Sequence, residues 1–139
     1  MSRRAQDGLT LIESAVVGAI AAILLATSVG QYQEFSSNQR LQSWADAVAS
    51  DLRAGQQFSV TRRQTVVATF ATGGYTVTAG GVTIKVGQLP LDITSTAQSI
   101  TFSSLGTTST AGTITLRSLV TNRTKQVSVS SNTGRVRVD

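Results

Sequence analysis

Four residues near the end of the chain, Gly134-Arg135-Val136-Arg137, hold the most distinctive chemistry in this sequence. Side chains alternate faces along a strand, so Arg135 and Arg137 point the same way, about 6.6 Å apart, while Val136 and Val138 turn to the core. Two guanidiniums in a row, each a planar fork of donors, suit phosphate oxygens. Arg117, Arg123 and Lys125 precede them, and Asp139 is the one acid of this stretch, which gives +4 in 23 residues. Arg123 and Lys125 supply a second line of contacts if their loop lies beside the final strand. Contacts of this kind with phosphates weaken steeply with salt. The plainer alternative is a solvated strand face. Arg62 and Arg63, farther back, read as a solvated helix end.

Glu13 raises a different question. It stands at the front of an apolar run, and residues 14–33 are 20 positions without a charge. A helix of about 20 residues crosses a bilayer core, and an ionised side chain within it costs roughly 2.5–3.5 kcal/mol. Arg3 and Arg4 precede the run, so the leader stays cytoplasmic and the rest of the chain is exported. A carboxylate paired with a cation avoids leaving either charge alone in an apolar medium. The positive end of the helix dipole favours it as well.

Enzymatic chemistry has little to stand on. The 139 residues include no Cys and no His, and only 14% are charged. Thiol nucleophiles, imidazole acid–base chemistry and the usual zinc sites are therefore excluded. No Gly-rich phosphate loop precedes a helix, and no cofactor or metal is implied. Ser and Thr fill 20 of the 40 positions from Thr94 to Thr133, which suits the solvent faces of strands built from uncharged β-formers. Glycan attachment is the sharper reading of that richness. Asn122-Arg123-Thr124 has the form of an N-glycosylation acceptor.

The elements that position these groups follow from periodicity. A helix is expected over 9–62, about 80 Å long. Leu41, Trp44, Val48 and Leu52 form its apolar stripe; Trp44 is read as a core anchor, and Phe58 continues the stripe if the helix passes through Gly55. Glu34, Arg40, Asp46, Asp51 and Arg53 lie on the polar face. Beyond Arg63 the period becomes two, with strands expected at 65–70, 75–78, 82–86, 100–102, 113–119 and 125–130. Gly73-Gly74 and Gly80-Gly81 mark hairpin turns, and 105–112 is read as a flexible loop.

The segment Gly8-Leu9-Thr10-Leu11-Ile12-Glu13, ahead of an apolar helix, resembles the class III signal of type IV pilins. That resemblance implies cleavage by prepilin peptidase between Gly8 and Leu9, which makes Glu13 fifth in the mature chain. It also implies pairing of Glu13 with the new amino terminus of a neighbouring subunit as an assembly register. Leu9 stands where Phe is commoner, and Gly30 where major pilins usually bend at a proline. Glycine also weakens a helix, by about 1 kcal/mol relative to Ala, so a bend or local melting is open there. Loss of Arg3, Arg4 and Asp7 takes the net charge from +5 to +4.

The stretches SNQRLQSWADAVASDLRAGQQFSVTRRQTVVATF, SITFSSLGTTSTAGTITL and QVSVSSNTGRVRV are similar to the FimT/GspH family, which comprises minor type IV pilins and H-type pseudopilins of type II secretion. The resemblance implies an α+β, pilin-like fold, with a long N-terminal helix packed on antiparallel β-sheet. Residues 1–8 are the leader, 9–30 the transmembrane or filament-core half of the helix, and 31–139 the exported globular domain. The GRxR pattern is similar to that of FimT-type minor pilins that bind DNA in natural transformation. The implied DNA-binding residues are Arg135, Arg137, Arg123, Lys125 and Gly134. Implied partners are prepilin peptidase, other minor and major pilins, double-stranded DNA and, before assembly, the inner membrane. The alternative is a structural minor pilin or pseudopilin that initiates or caps a filament without binding DNA.

Overall fold

The structure is a computed structural model that describes residues 4–108 and 111–139. One helix, α1, runs unbroken over Arg4–Arg62 and continues through both Gly30 and Gly55, so neither glycine interrupts it. Gly8 and Leu9 belong to its first turns, but their side chains, like the whole of Arg3, lie outside the described residues. The chain divides into two compact units, Met1–Ser36 and Ser37–Asp139.

The described residues of the first unit are helix alone. Its apolar side chains are open: Ile12, Val17, Ile20, Ile23 and Leu25 are all more than half exposed. It is long and apolar enough to cross a membrane. Ser14 Oγ donates to the Thr10 carbonyl at 2.7 Å and Thr27 Oγ1 to the Leu24 carbonyl at 3.0 Å, so these hydroxyls are satisfied within the helix rather than left bare in an apolar medium.

The second unit holds the core. Leu41, Ala45, Val48, Leu52, Gly55 and Ser59 are buried, at spacings of four, three, four, three and four that keep one face of a 3.6-residue helix inward. Trp44 and Phe58 flank this seam and are only partly buried against the core. Leu41, Val48 and Leu52 of the expected stripe are thus in the core, while small residues at 45, 49 and 55 let the sheets approach the helix and the large rings of Trp44 and Phe58 cover the rim. The helix ends at Arg63, whose φ is 51°. Arg63 N–H donates to the Val60 carbonyl and Gln64 N–H to the Ser59 carbonyl, the pair of bonds that closes a Schellman cap. Arg62 and Arg63 are exposed.

Among the described residues eight strands follow, in two antiparallel sheets. The strands β1 (Val66–Ala71), β2 (Gly74–Ala79), β3 (Val82–Gln88) and β5 (Gln98–Phe102) form one sheet, ordered β3-β2-β1-β5. The other is ordered β4-β6-β7-β8, from β4 (Ile93–Ser95), β6 (Gly112–Ser118), β7 (Thr124–Val129) and β8 (Val136–Val138). Alternation sets the inward faces: Val66, Ala68 and Phe70 on β1, Ile114 and Leu116 on β6, Val127 and Val129 on β7. The short β4 was not expected from the sequence. Gly80 and Gly81 both take positive φ between paired Ala79 and Val82, as a tight hairpin demands. The preceding turn is Thr72-Gly73, one residue earlier than expected, because Gly74 already pairs with Ala71.

One polar cluster ties helix to sheet. Tyr75 stacks on Phe70 and donates its hydroxyl to Asp51, which also meets Lys85 at 3.4 Å. Burial, and then the Asp51 carboxylate, push the phenol well above its ordinary value.

Candidate nucleic-acid interface

The turn between β7 and β8 is a corner held by the backbone. Gly134 N–H donates to the Ser130 carbonyl and Ser130 N–H to the Arg135 carbonyl, both at 3.0 Å. Asn132 N–H reaches the Thr108 carbonyl at 3.1 Å, and buried Thr108 returns its hydroxyl to the Ser130 carbonyl at 3.0 Å. Residues 105–108, expected to be part of a flexible loop, are therefore partly built into this corner; Ser109 and Thr110 lie outside the described residues. Gly134 is buried with φ 64°, and a Cβ there would overlap the Gly106 carbonyl oxygen and the Gln56 side chain. Only glycine suits a left-handed residue packed this closely.

The corner aims the two arginines. Val136 is 6% exposed and Val138 half-buried, so the intervening Arg137 and the preceding Arg135 face outward and are exposed. Arg137 lies opposite Ser128 on β7. The sequence reading missed a third cation: Arg53, on α1, donates from Nη2 to the Val136 carbonyl at 3.3 Å. Its place on the polar face was legible, but its closeness to β8 was not. One helical turn on, Gln56 Nε2 donates to the Gly106 and Thr133 carbonyls at 2.7 and 3.2 Å. The helix thus clamps both the strand and the corner.

Asp139 tempers this face. It continues the ladder opposite Gln126, and Ser128 Oγ donates to its carboxylate at 3.4 Å. It therefore stands on the same side as Arg137, two residues away.

Arg123 and Lys125 do not join Arg135 and Arg137. Lys125 is paired with Leu116 and stands on the same face of β7 as buried Val127 and Val129, so it lies on the opposite face of the sheet from Arg137. Arg123 belongs to the β6–β7 turn, at the far end of β7 from the corner. There Arg117 Nη2 donates to Asn122 Oδ1 at 2.8 Å. The expected second line of contacts is absent from the Arg135 face because antiparallel pairing sends the two turns of β7 to opposite ends of the sheet. Among the described residues, no group of His, Cys, Asp and Glu is arranged to hold a metal ion.

Comparison with known proteins fits this architecture. A family model described as Type II transport protein GspH matches residues 45–134. No curated protein sequence matches significantly. Among solved structures, the chain is similar to the type IV minor pilin FimU of Pseudomonas aeruginosa. One crystal form matches with a TM-score of 0.61 and 19% identity, over 76% of this chain and 92% of that one. A second matches at 0.59 and 19%, over 71% and 92%. At that identity the likeness concerns the fold.

Proposed function

The chain belongs to the GspH family of pilin-like proteins, and from that premise we propose that it is a minor type IV pilin that binds DNA through β8 and its corner. The family match over 45–134, joined to a pilin fold, supports the role of filament subunit. The observation that carries the DNA reading is the pair Arg135 and Arg137, exposed side by side on one strand face with Arg53 bonded to the strand between them. Gly134 shapes the corner. Such a row contacts successive phosphates and needs no base readout.

The exposed apolar helix is the membrane anchor before assembly and the filament core after it, with Ser37–Asp139 on the exported side of the inner membrane. Prepilin peptidase removes residues 1–8, cutting between Gly8 and Leu9. Glu13 then meets the amino terminus of a neighbouring pilin, which sets the register of assembly. The protein extracted from membranes should have the mass of 9–139, and a Gly8→Asp variant should keep the leader; a wild-type chain of full mass would overturn the processing step.

The DNA test is a titration of the whole chain in neutral detergent against random-sequence duplex DNA at two salt concentrations. Salt-sensitive binding that is lost with Arg135→Gln/Arg137→Gln supports the reading, and binding that survives overturns the site. The structural alternative, a filament-initiating pseudopilin without DNA affinity, is favoured by the description of the matching family as a type II transport protein and by the position of Asp139 beside Arg137.

A further inference from the structure

At the other end of the second sheet, two loop tips are joined. Leu119 N–H donates to the Asp92 carbonyl at 2.8 Å, and the side chains beside that bond are open: Leu91 is 99% exposed, Leu119 53% and Val120 60%. The same end carries Arg117, Arg123 and Lys125. Arg123, Lys125 and Asn122 line a recess together with Asn38 and Leu41, the opening residues of the helical part of this unit. Asn38 Oδ1 is buried there without a hydrogen-bond partner among the described residues. The acid at this end, Asp92, is neutralised by Arg40 at 3.4 Å.

We infer that this end of the domain, with Leu91, Leu119 and Val120 as apolar tips and Arg117, Arg123 and Lys125 as cations, docks on the anionic phospholipid surface in which the chain is anchored. The tether makes the encounter local. Gln33 ends the uncharged run and Ser37 begins the second unit, and four residues span at most about 14 Å however they are arranged. Leucine and valine at exposed tips gain by entering the headgroup boundary, while arginine and lysine beside them attract anionic lipid. DNA rewards the cations alone and leaves the three apolar side chains in water. A bilayer rewards both, and this decides the occupant. Docking holds the domain against the membrane until assembly withdraws the subunit.

The inference rests on the reading of residues 14–33 as membrane-spanning, and the experiment separates the two. The chain has no cysteine, so Leu119→Cys and, as a control at the opposite corner, Thr133→Cys each take a single polarity-sensitive dye. The whole chain is reconstituted into vesicles of phosphatidylcholine, with or without phosphatidylglycerol, and flotation is measured first. Failure to float overturns the anchor and the docking together. With flotation intact, the expected result is a blue shift at position 119 and none at 133, only in phosphatidylglycerol vesicles and reversed by salt. Arg117→Gln/Arg123→Gln/Lys125→Gln should lower the docked-to-free ratio by about a hundredfold, at roughly 1 kcal/mol per charge. Equal shifts at 119 and 133, no shift at 119, or a shift indifferent to the triple substitution each overturn the docking face. So does a response to duplex DNA in place of lipid. Trp44 emission and thermal unfolding of the triple variant confirm that its fold is retained.

Discussion

The two ends of the second sheet carry similar charge in dissimilar settings. At the β7–β8 end, Arg135 and Arg137 project from a backbone corner that glycine, buried threonine and two helix side chains hold in place. At the β6–β7 end, Arg117, Arg123 and Lys125 surround loop tips whose apolar side chains are open to water. The first arrangement fixes cations at a set spacing, which suits a repeating polyanion. The second mixes cation and apolar tip, which suits a surface that is both anionic and oily. Charge alone does not distinguish a nucleic acid from a membrane; the neighbours of the charge do.

The strongest way to break this comparison is at Gly134. Gly134→Val introduces a β-branched residue at positive φ against the Gly106 carbonyl and Gln56. It should cost about 3–5 kcal/mol, visible as a large fall in thermal midpoint. An unchanged midpoint would mean that the corner is not rigid. Next comes the contrast in DNA affinity. Arg135→Gln/Arg137→Gln should weaken binding at least tenfold and flatten the slope of log K against log salt by about two. Arg117→Gln/Lys125→Gln should leave affinity within about twofold, because Lys125 lies on the other face and Arg117, bonded to Asn122, stands at the far end of the sheet. Equal losses from the two pairs would dissolve the distinction between the ends.

Smaller effects sharpen the picture at the corner itself. Arg53→Gln removes the donor to the Val136 carbonyl and should cost about 1 kcal/mol of stability; its DNA affinity, measured at matched folded fraction, should fall a few-fold if Arg53 also meets phosphate. Asp139→Asn should raise DNA affinity by about two- to threefold at low salt, the scale of an exposed charge contact, and this gain should vanish at high salt. A gain that persists at high salt would point to a change in the strand rather than in its field.

Local patterns in the sequence carried much of this protein. The uncharged run of residues 14–33 specifies a helix able to span a bilayer. The shift from period 3.6 to period two after Arg63 separates helix from strands, and the Gly80-Gly81 pair marks a hairpin that the structure forms at the same residues. The GRVRV alternation already turned Arg135 and Arg137 to one side. All of these are signals between residues a few positions apart, and covalent geometry is enough to read them. What the tertiary structure decided is long-range. Pairing sends the two turns of β7 to opposite ends, so a basic stretch contiguous in sequence is divided in space, and Lys125 goes to the face that Leu116 and Val127 share. Packing joined Leu41, Val48 and Leu52 of the expected stripe to Ala45, Gly55 and Ser59 in one buried seam and left Trp44 at its rim, because small residues let the sheets come closest. Arg53 meets β8 across 83 positions of chain, a distance at which no periodicity speaks.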